Sequence, residues 1–406
     1  MIFKRYTTIS KYIYSLLKVD VTKVFAGDVL SKVLLLIIHI FLIKNLTVNN
    51  YAELTLMLNG VLLGYQLACA PLERVYLSSE TPEKFDFVKI KYALSIISSF
   101  FIFFWLYGKI SLNNNLIIFL GVIILSNQQF IRILAQKKMK FTLFSIIEIF
   151  KNVFWLSWIL LIFYVIDLQQ PILIILGLIL SSLVISIIYK SLFFQSKKSV
   201  SNNKKNTFKD SILSIKFVIL YSSLTSLIPY IPIFFISENT DLLSTYGAAL
   251  RYLAMLSMAV YAFNVVFLPK MSSLRAHEQV EKVNRFRKTI PVIIICFLFF
   301  VIFVGSIVSF INHDKYHNLV SIFYILSLTS FFSLLTVPYI NLLLILGYDK
   351  EITSFVFISL IISILSYFII KKVFIIHAPA ISSVICYSCI FFLCFLKVST
   401  LPKKET

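Results

Sequence analysis

Long apolar segments separated by short polar ones run through the whole chain. A helix that crosses a bilayer needs about 20 mostly apolar residues, and its backbone groups must be hydrogen-bonded within the segment. By that criterion the sequence predicts twelve transmembrane helices, numbered here as spans 1 to 12. They are expected at residues 22–43, 51–71, 87–108, 115–134, 141–166, 171–190, 213–237, 243–268, 289–311, 318–347, 352–371 and 377–397.

The polar segments divide these spans into two sets of six. The longest polar segment, Ser196-Lys-Lys-Ser-Val-Ser-Asn-Asn-Lys-Lys-Asn, follows span 6. We therefore expect an N-terminal six-helix lobe over residues 1–195, a cytoplasmic basic linker over 196–212 and a C-terminal six-helix lobe over 213–406. The predicted fold class is an all-α membrane protein of about twelve transmembrane helices, in two six-helix lobes around a central cavity.

A weak internal repeat is consistent with two related lobes. Tyr51 follows span 1 and Pro71 ends span 2, while Tyr246 follows span 7 and Pro269 ends span 8. Six spans return the chain to the same side of the membrane, so the repeats would be parallel. A chance similarity of loop residues is the alternative interpretation.

Composition and charge agree with a membrane protein. The chain is 59% hydrophobic and 14% charged, whereas soluble domains are about 25% charged. If the N-terminus is inside, 28 of the 38 Lys and Arg residues fall in cytoplasmic segments and five fall outside. This bias predicts two cytoplasmic termini. It also explains the net charge of +20 without a nucleic-acid partner, because no long patch of basic and aromatic residues lies outside the spans.

Several function classes are disfavoured by the sequence. The predicted extracytoplasmic connections are only a few residues long, too short to carry an active site, so we do not expect an enzyme. The phosphate-binding pattern G-x-x-x-x-G-K-[ST] is absent, so an ion gradient or the membrane potential would supply the energy. We expect neither a cofactor nor a metal site, because the cysteines lie in apolar runs that offer no polar support for a metal. These are Cys69, Cys296, Cys386, Cys389 and Cys394.

Three segments carry a resemblance to a known family: Asn49-Asn-Tyr-Ala-Glu-Leu, Ser244-Thr-Tyr-Gly-Ala-Ala-Leu-Arg-Tyr-Leu and Phe267-Leu-Pro-Lys-Met-Ser-Ser. With the chain length, the span count and the basic linker, they resemble the bacterial polysaccharide-biosynthesis flippases. These are the O-antigen and capsule-unit flippases of the multidrug/oligosaccharidyl-lipid/polysaccharide exporter superfamily. The resemblance implies a protein of the bacterial inner membrane that moves an undecaprenyl-pyrophosphate-linked glycan to the outer leaflet by ion-coupled alternating access. Membrane lipids, a polysaccharide polymerase and chain-length proteins are the partners that it implies.

The resemblance also implies cationic residues in a central cavity, on spans 1, 2 and 8. Lys23 and Lys32 on span 1 and Arg251 on span 8 match that pattern by location. Span 2 departs from it, because its only basic residue, Arg74, lies just past the cytoplasmic end.

Ionisable residues within the spans are candidate site residues for a separate, physical reason. A charge at mid-bilayer costs about 2.5–3.5 kcal/mol and normally faces a partner or water. Lys32 and Arg251 lie too deep to reach a headgroup, and an ammonium and a guanidinium suit a pyrophosphate. Lys32 could instead form a structural ion pair with Asp28, at i, i+4 spacing. Asp28 could hold Lys32 in place or take up a coupling proton.

Four further positions carry two interpretations each. Lys23 and Lys216 lie near the cytoplasmic ends of their spans, where they could meet the entering pyrophosphate or anchor the helix at the interface. Glu148 and Lys151, at i, i+3 spacing, could neutralise each other without any function. Alternatively, Glu148 could be the ion-coupling carboxylate.

Two prolines, Pro229 and Pro232, are expected to kink span 7. A bent helix beside the cavity is a candidate gate. The alternative is a bend without a function.

Two rival functions compete with the flippase. A cation-coupled multidrug exporter of the same superfamily would be expected to meet its cationic drug with carboxylates, whereas Lys and Arg outnumber Asp and Glu inside these spans. A membrane polysaccharide polymerase or ligase would need a sizeable outer loop, and the predicted topology has none.

Overall fold

The computed structural model describes residues 27, 29–78, 87–138, 140–189, 208–272, 276–312 and 315–400, which are almost entirely helical. The helices are numbered in chain order. They are α1 (29–45), α2 (Val48–Ser78), α3 (Phe87–Leu106), α4 (Leu112–Lys137), α5 (Phe141–Leu161), α6 (Pro171–Ile188), α7 (Phe208–Leu227), α8 (Ile231–Ile236), α9 (Thr240–Ser272), α10 (Ala276–Asn312), α11 (Leu319–Ile345), α12 (Asp349–Lys371) and α13 (Ala378–Ser399).

Among the described residues, nine helices are long and apolar enough to cross a membrane, namely α2 to α6 and α10 to α13. The other three predicted spans correspond to α1, to α7 with α8, and to α9. The predicted all-α membrane fold is therefore confirmed. Several helices continue beyond the predicted bounds: α2 runs seven residues past Pro71, and α10 begins at Ala276, thirteen residues before the predicted start of span 9.

Span 7 is not one kinked helix but two helices, α7 and α8. Pro229 lies in the turn between them, and Pro232 lies in the first turn of α8, where a helix leaves its N–H groups unpaired in any case. The turn supplies its own backbone hydrogen bonds, from Tyr230 N to Leu227 O at 2.9 Å and from Ile233 N to Tyr230 O at 2.9 Å. The interruption is thus tolerated inside the bundle because its backbone groups are satisfied.

Helices α2 to α6 pack against one another, and α1 contacts them through α5; α1 to α6 are here called the first lobe. Helices α7 to α13, here called the second lobe, also pack against one another. Helix α2 packs against both α7 and α9, so the two sets are in extensive contact, and the division of the chain into two lobes stays a prediction. Of the predicted linker, residues 196–207 lie outside the described residues. Residues 208–212 belong to α7, so the predicted linker extended too far.

Every second connection between consecutive helices lies at the same end of the bundle. This end is here called the α1–α2 end, after the connection between those two helices. At this end Asn50 Nδ2 donates to Gln169 O at 3.3 Å, which joins the α1–α2 and α5–α6 connections. Lys109 Nζ donates to Ser237 Oγ at 2.7 Å, which joins the two lobes. The predicted orientation makes this the extracytoplasmic end, and that orientation stays a prediction.

The main hydrophobic core also lies towards this end and is shared by both lobes. It includes Ile38 of α1, Val61 of α2 and Tyr246 of α9, each nearly inaccessible. Helices α2 and α9 approach closely at Gly247, where an added Cβ would lie 2.4 Å from Cγ2 of Thr55. Side chains from both lobes therefore fill one continuous apolar volume between the lobes.

A single lysine from the α10–α11 connection holds the end of α1. Lys315 Nζ donates to the carbonyl oxygens of Ile43 at 2.6 Å, Lys44 at 2.9 Å and Leu46 at 2.6 Å. The Tyr316 hydroxyl donates to the same Ile43 oxygen at 3.3 Å. We call these four hydrogen bonds the Lys315 clamp. A cation is favoured here because the carbonyls at a helix C-terminus carry partial negative charge, although burial lowers the pKa of Lys315.

Candidate functional site

A cavity of about 90 Å³ lies between the lobes, enclosed by α1 and α9. The two basic residues that the sequence singles out as deepest, Lys32 and Arg251, both line it, from opposite lobes. The lining residues are Lys32, Leu35, Leu36 and His39 from α1, and Arg251, Ala254 and Met255 from α9.

Helix lengths place the cavity far from the α1–α2 end of the bundle. Arg251 is eleven residues from the start of α9, a rise of about 16 Å. Lys32 is thirteen residues from residue 45, a rise of about 20 Å from the same end of the bundle. In a hydrocarbon core about 30 Å thick, neither charge is close to a headgroup. Lys32 and Arg251 therefore lie where a charge has a high free-energy cost, and both line a cavity.

Arg251 is oriented by a neutral side chain from the other lobe. Its Nη2 donates to Oδ1 of Asn59 on α2 at 2.8 Å, and Asn59 is only 1% exposed. Arg251 also interacts with Tyr51 of α2. In the part of the chain that the structure describes, Arg251 forms no ion pair and the amide nitrogen of Asn59 has no hydrogen-bond partner. The guanidinium therefore keeps its full positive charge beside the cavity.

Asn59 and His39 are site residues that the sequence arguments missed. His39 is 4% exposed, and its ring meets the indole of Trp155 on α5 edge to face, with centroids 5.9 Å apart. The Trp155 indole N–H donates to Ile174 O of α6 at 2.9 Å, which fixes the indole. A signal for His39 was present, because it follows Lys32 by seven residues and so lies on the same helix face.

The other residues predicted to contact the pyrophosphate are not among the described residues that line this cavity. Lys216 is exposed on α7, with its Nζ 5.3 Å from the ring centroid of Phe217, and does not line the cavity. Lys23 and Asp28 lie outside the described residues. The predicted roles of Lys23, Asp28 and Lys216, and the alternative pairing of Lys32 with Asp28, stay predictions.

A second group of charges lies within the N-terminal lobe. Glu148 forms ion pairs with Lys151, as its i, i+3 spacing predicts, and with Arg132 of α4, at 3.1 Å between Oε2 and Nη1. Gln128 Nε2 also donates to Oε2 of Glu148 at 3.5 Å. Two cations beside one carboxylate stabilise its ionised form. The arrangement therefore favours a structural ion-pair cluster over proton coupling at Glu148.

We expect Glu148→Gln to destabilise the protein. The mutant would leave Arg132 and Lys151 without their shared carboxylate, and the loss of one partner of a buried pair costs about 3 kcal/mol. The midpoint of thermal denaturation in detergent should therefore fall by about 3–4 °C. A matched control is Glu281→Gln, because the Glu281–Arg285 pair is 59% and 76% exposed and should contribute little. Equal midpoints for the two mutants would contradict a structural role for the cluster.

Two basic residues at the edges of predicted spans, counted with the cytoplasmic side, contact other side chains within the helix bundle. Arg132, which pairs with Glu148, is one of them. Lys91 of α3 is completely buried, where its Nζ hydrogen-bonds Asn127 Oδ1 and lies 3.4 Å from the ring centroid of Tyr92. Both lie near predicted span ends. Their contacts do not test the predicted orientation, which stays a prediction.

Comparison with solved structures identifies the fold. A mutant of the Vibrio cholerae MATE transporter VcmN superposes with a TM-score of 0.61 at 10% identity, over 95% of this chain and 97% of that one. A MATE protein in complex with MaL6 gives 0.66 at 11% identity, with the same coverage. The fold is that of the MATE transporters. A multidrug resistance MATE family transporter of the MOP superfamily, in its outward-facing conformation, gives 0.62 at 13% identity, over 95% and 96% of the two chains.

These similarities agree with the predicted fold of about twelve transmembrane helices. None of the three structures is described as a polysaccharide flippase. No known sequence family matches the chain, and no curated protein is detectably similar to it.

Proposed function

We propose that this protein is an alternating-access transporter whose cavity between α1 and α9 binds an anionic group of its substrate. The observation that carries the proposal is that Lys32 and Arg251, from opposite lobes, line one cavity far from the α1–α2 end of the bundle. A neutral amide holds Arg251, so its charge is available to a ligand. No carboxylate lines the cavity in the residues that the structure describes. A multiply charged anion would relieve the cost of holding the cations in this apolar setting.

The substrate that we propose is an undecaprenyl-pyrophosphate-linked oligosaccharide, moved from the cytoplasmic to the outer leaflet of a bacterial inner membrane. Its pyrophosphate would bind between Lys32 and Arg251, and its prenyl chain would stay in lipid. Support comes from the cavity charges and from the sequence resemblance to O-antigen and capsule-unit flippases. A polysaccharide polymerase and chain-length proteins would then act on the translocated unit.

The interruption of span 7 suits a gate in this scheme. Phe234 of α8 stacks against Trp105 of α3, with ring centroids 4.1 Å apart, so α8 bridges the two lobes. The turn that contains Pro229 interrupts the regular helical hydrogen bonding between α7 and α8, with a bond from Tyr230 N to Leu227 O in its place, and so would let α8 move separately from α7. Pro229 and Pro232 are therefore proposed as gate residues.

A cation-coupled multidrug exporter is the second candidate, and one observation favours it. The solved structures with the same fold are MATE proteins, one of them named as a multidrug resistance transporter. Taken alone, the comparisons support this candidate better than the flippase. The two cations of the cavity oppose it, because a cationic drug placed beside Lys32 and Arg251 would be repelled.

A transport assay with both substrate types distinguishes the two candidates. The purified protein is placed in proteoliposomes that contain either a fluorescent polyprenyl-pyrophosphate sugar or the uncharged polyprenol with the same label. Movement between leaflets is measured by chemical quenching of the outer leaflet, and ethidium uptake is measured in parallel. Faster movement of the pyrophosphate lipid alone supports the flippase. Ethidium transport without lipid movement would establish the drug exporter and refute the proposed substrate.

A further inference from the structure

His39 is the cavity residue to which the proposed function gives no role. It lines the cavity beside Lys32 and Arg251, and it forms no hydrogen bond with any described residue. Its only ring contact there is the edge-to-face one with Trp155. A histidine that faces a cavity and lacks a fixed partner has its ring nitrogens available to a proton or a ligand.

The charged groups around His39 are mainly cationic. On its own helix Lys32 lies two turns away, and from α9 Arg251 is close enough to act on the imidazole electrostatically. Helix α2 contributes only the uncharged Asn59 and Tyr51, both of which interact with Arg251.

The helix packed against His39 on the other side adds no free carboxylate. Helix α5 presents Trp155 to the imidazole, and its Glu148 is taken up by ion pairs with Lys151 and Arg132. Asp28, one turn from Lys32, lies outside the described residues. The described groups facing His39 therefore carry positive charge or none.

Occupancy of the cavity by an anion changes this balance. In the empty cavity, a proton on His39 would add a positive charge beside that of Arg251. With a dianion or a more highly charged group bound, the same proton adds an attraction to the ligand. By thermodynamic linkage, if the bound anion raises the affinity of His39 for a proton, then protonation of His39 raises the affinity of the cavity for the anion by the same factor.

We infer that His39 takes up a proton from water when the cavity binds an anion, so that protonation and substrate binding are coupled at this residue. The inference rests on the proposed function, since it requires an anion between Lys32 and Arg251. It places the proton-binding group of the cavity at His39 and not at Glu148, whose carboxylate is held in ion pairs.

The test uses the full-length protein in lipid nanodiscs and inorganic sulfate, whose charge stays constant between about pH 5.5 and pH 8, the range in which a histidine titrates. Sulfate affinity is measured by calorimetry across this range. We expect the wild-type affinity to rise at least about tenfold as the pH falls, equivalent to about 1.4 kcal/mol. His39→Gln should bind sulfate with an affinity independent of pH. His317→Gln, which removes an exposed histidine, should behave like the wild type.

The outcomes separate this inference from the proposed function. A flat wild-type pH profile overturns the role of His39 even if the mutant fails to fold, and sulfate binding at every pH would still support an anionic cavity. A pH profile that survives in His39→Gln assigns the titrating group elsewhere and also overturns the inference. If the wild type binds neither sulfate nor pyrophosphate at any pH, the proposed function itself fails.

Discussion

Arg251→Gln is expected to lower transport of the pyrophosphate lipid at least about 100-fold, while the protein still folds and reaches the membrane. The amide can replace the hydrogen bond to Asn59 but not the charge. Loss of a charged contact to a buried anion costs about 2–5 kcal/mol, and about 2.7 kcal/mol corresponds to this factor. Arg251→Lys should retain part of the activity, because it keeps the charge but loses the planar fork.

The controls for Arg251 separate charge at the cavity from charge in general. Arg285→Gln removes an exposed arginine from α10 and should leave transport unchanged. Ethidium transport by Arg251→Gln is informative for the rival function, since removal of a cation should not harm export of a cationic drug. Normal lipid transport by a well-expressed Arg251→Gln protein would show that the cavity charge does not bind the substrate.

Lys315→Met is expected to shift the protein towards a conformation that is open at the α1–α2 end. The mutation removes three hydrogen bonds from one ammonium to the carbonyls of Ile43, Lys44 and Leu46. Hydrogen bonds to a charged group contribute about 1.5–3 kcal/mol each. Even a net loss of about 2 kcal/mol changes the ratio of closed to open protein by about 30-fold. The aliphatic part of the side chain is kept, so local packing should change little.

The opening can be followed at Thr55, which is buried between α2 and α9 against Gly247. Thr55→Cys is introduced after the five native cysteines are replaced, and its rate of reaction with a membrane-impermeant maleimide is measured. Labelling should be at least about tenfold faster with Lys315→Met than with native Lys315. Lys372→Met, which alters an exposed lysine predicted to lie at the same end, is the control. Equal labelling rates would mean that the Lys315 clamp does not hold the lobes closed.

The transmembrane helices could be predicted well from the sequence because an apolar run of sufficient length is a local property. The break between α7 and α8 was predicted only as a kink. A proline removes a hydrogen bond wherever it occurs, but whether the helix bends or stops depends on whether neighbouring groups can hold a turn. The turn at Tyr230 is buried among other helices, which a single span of sequence does not reveal.

The cationic residues of the candidate site could be predicted from the sequence, whereas its other residues were missed. Lys32 and Arg251 stood out because charge in a bilayer is costly. Asn59 carries no such cost, and His39 was passed over although it follows Lys32 by seven residues, so their contacts emerge only when α1, α2 and α9 are brought together. Arg132 was overlooked for a different reason. It lies close enough to a predicted span end to be assigned to the loop, and its partner Glu148 is on another helix.

Helix α1 joins two features that have so far been treated separately. One of its faces presents Lys32 and His39 to the cavity, and its end is held by the Lys315 clamp. The helix is a stiff rod, and Lys32 lies about 20 Å from the held end. A tilt of about 5° about that end would move Lys32 sideways by nearly 2 Å, enough to make or break a contact to an anion. A tilt of α1 about the end held by the Lys315 clamp would therefore also displace Lys32 in the cavity, so the clamp and the cavity are mechanically connected through this helix.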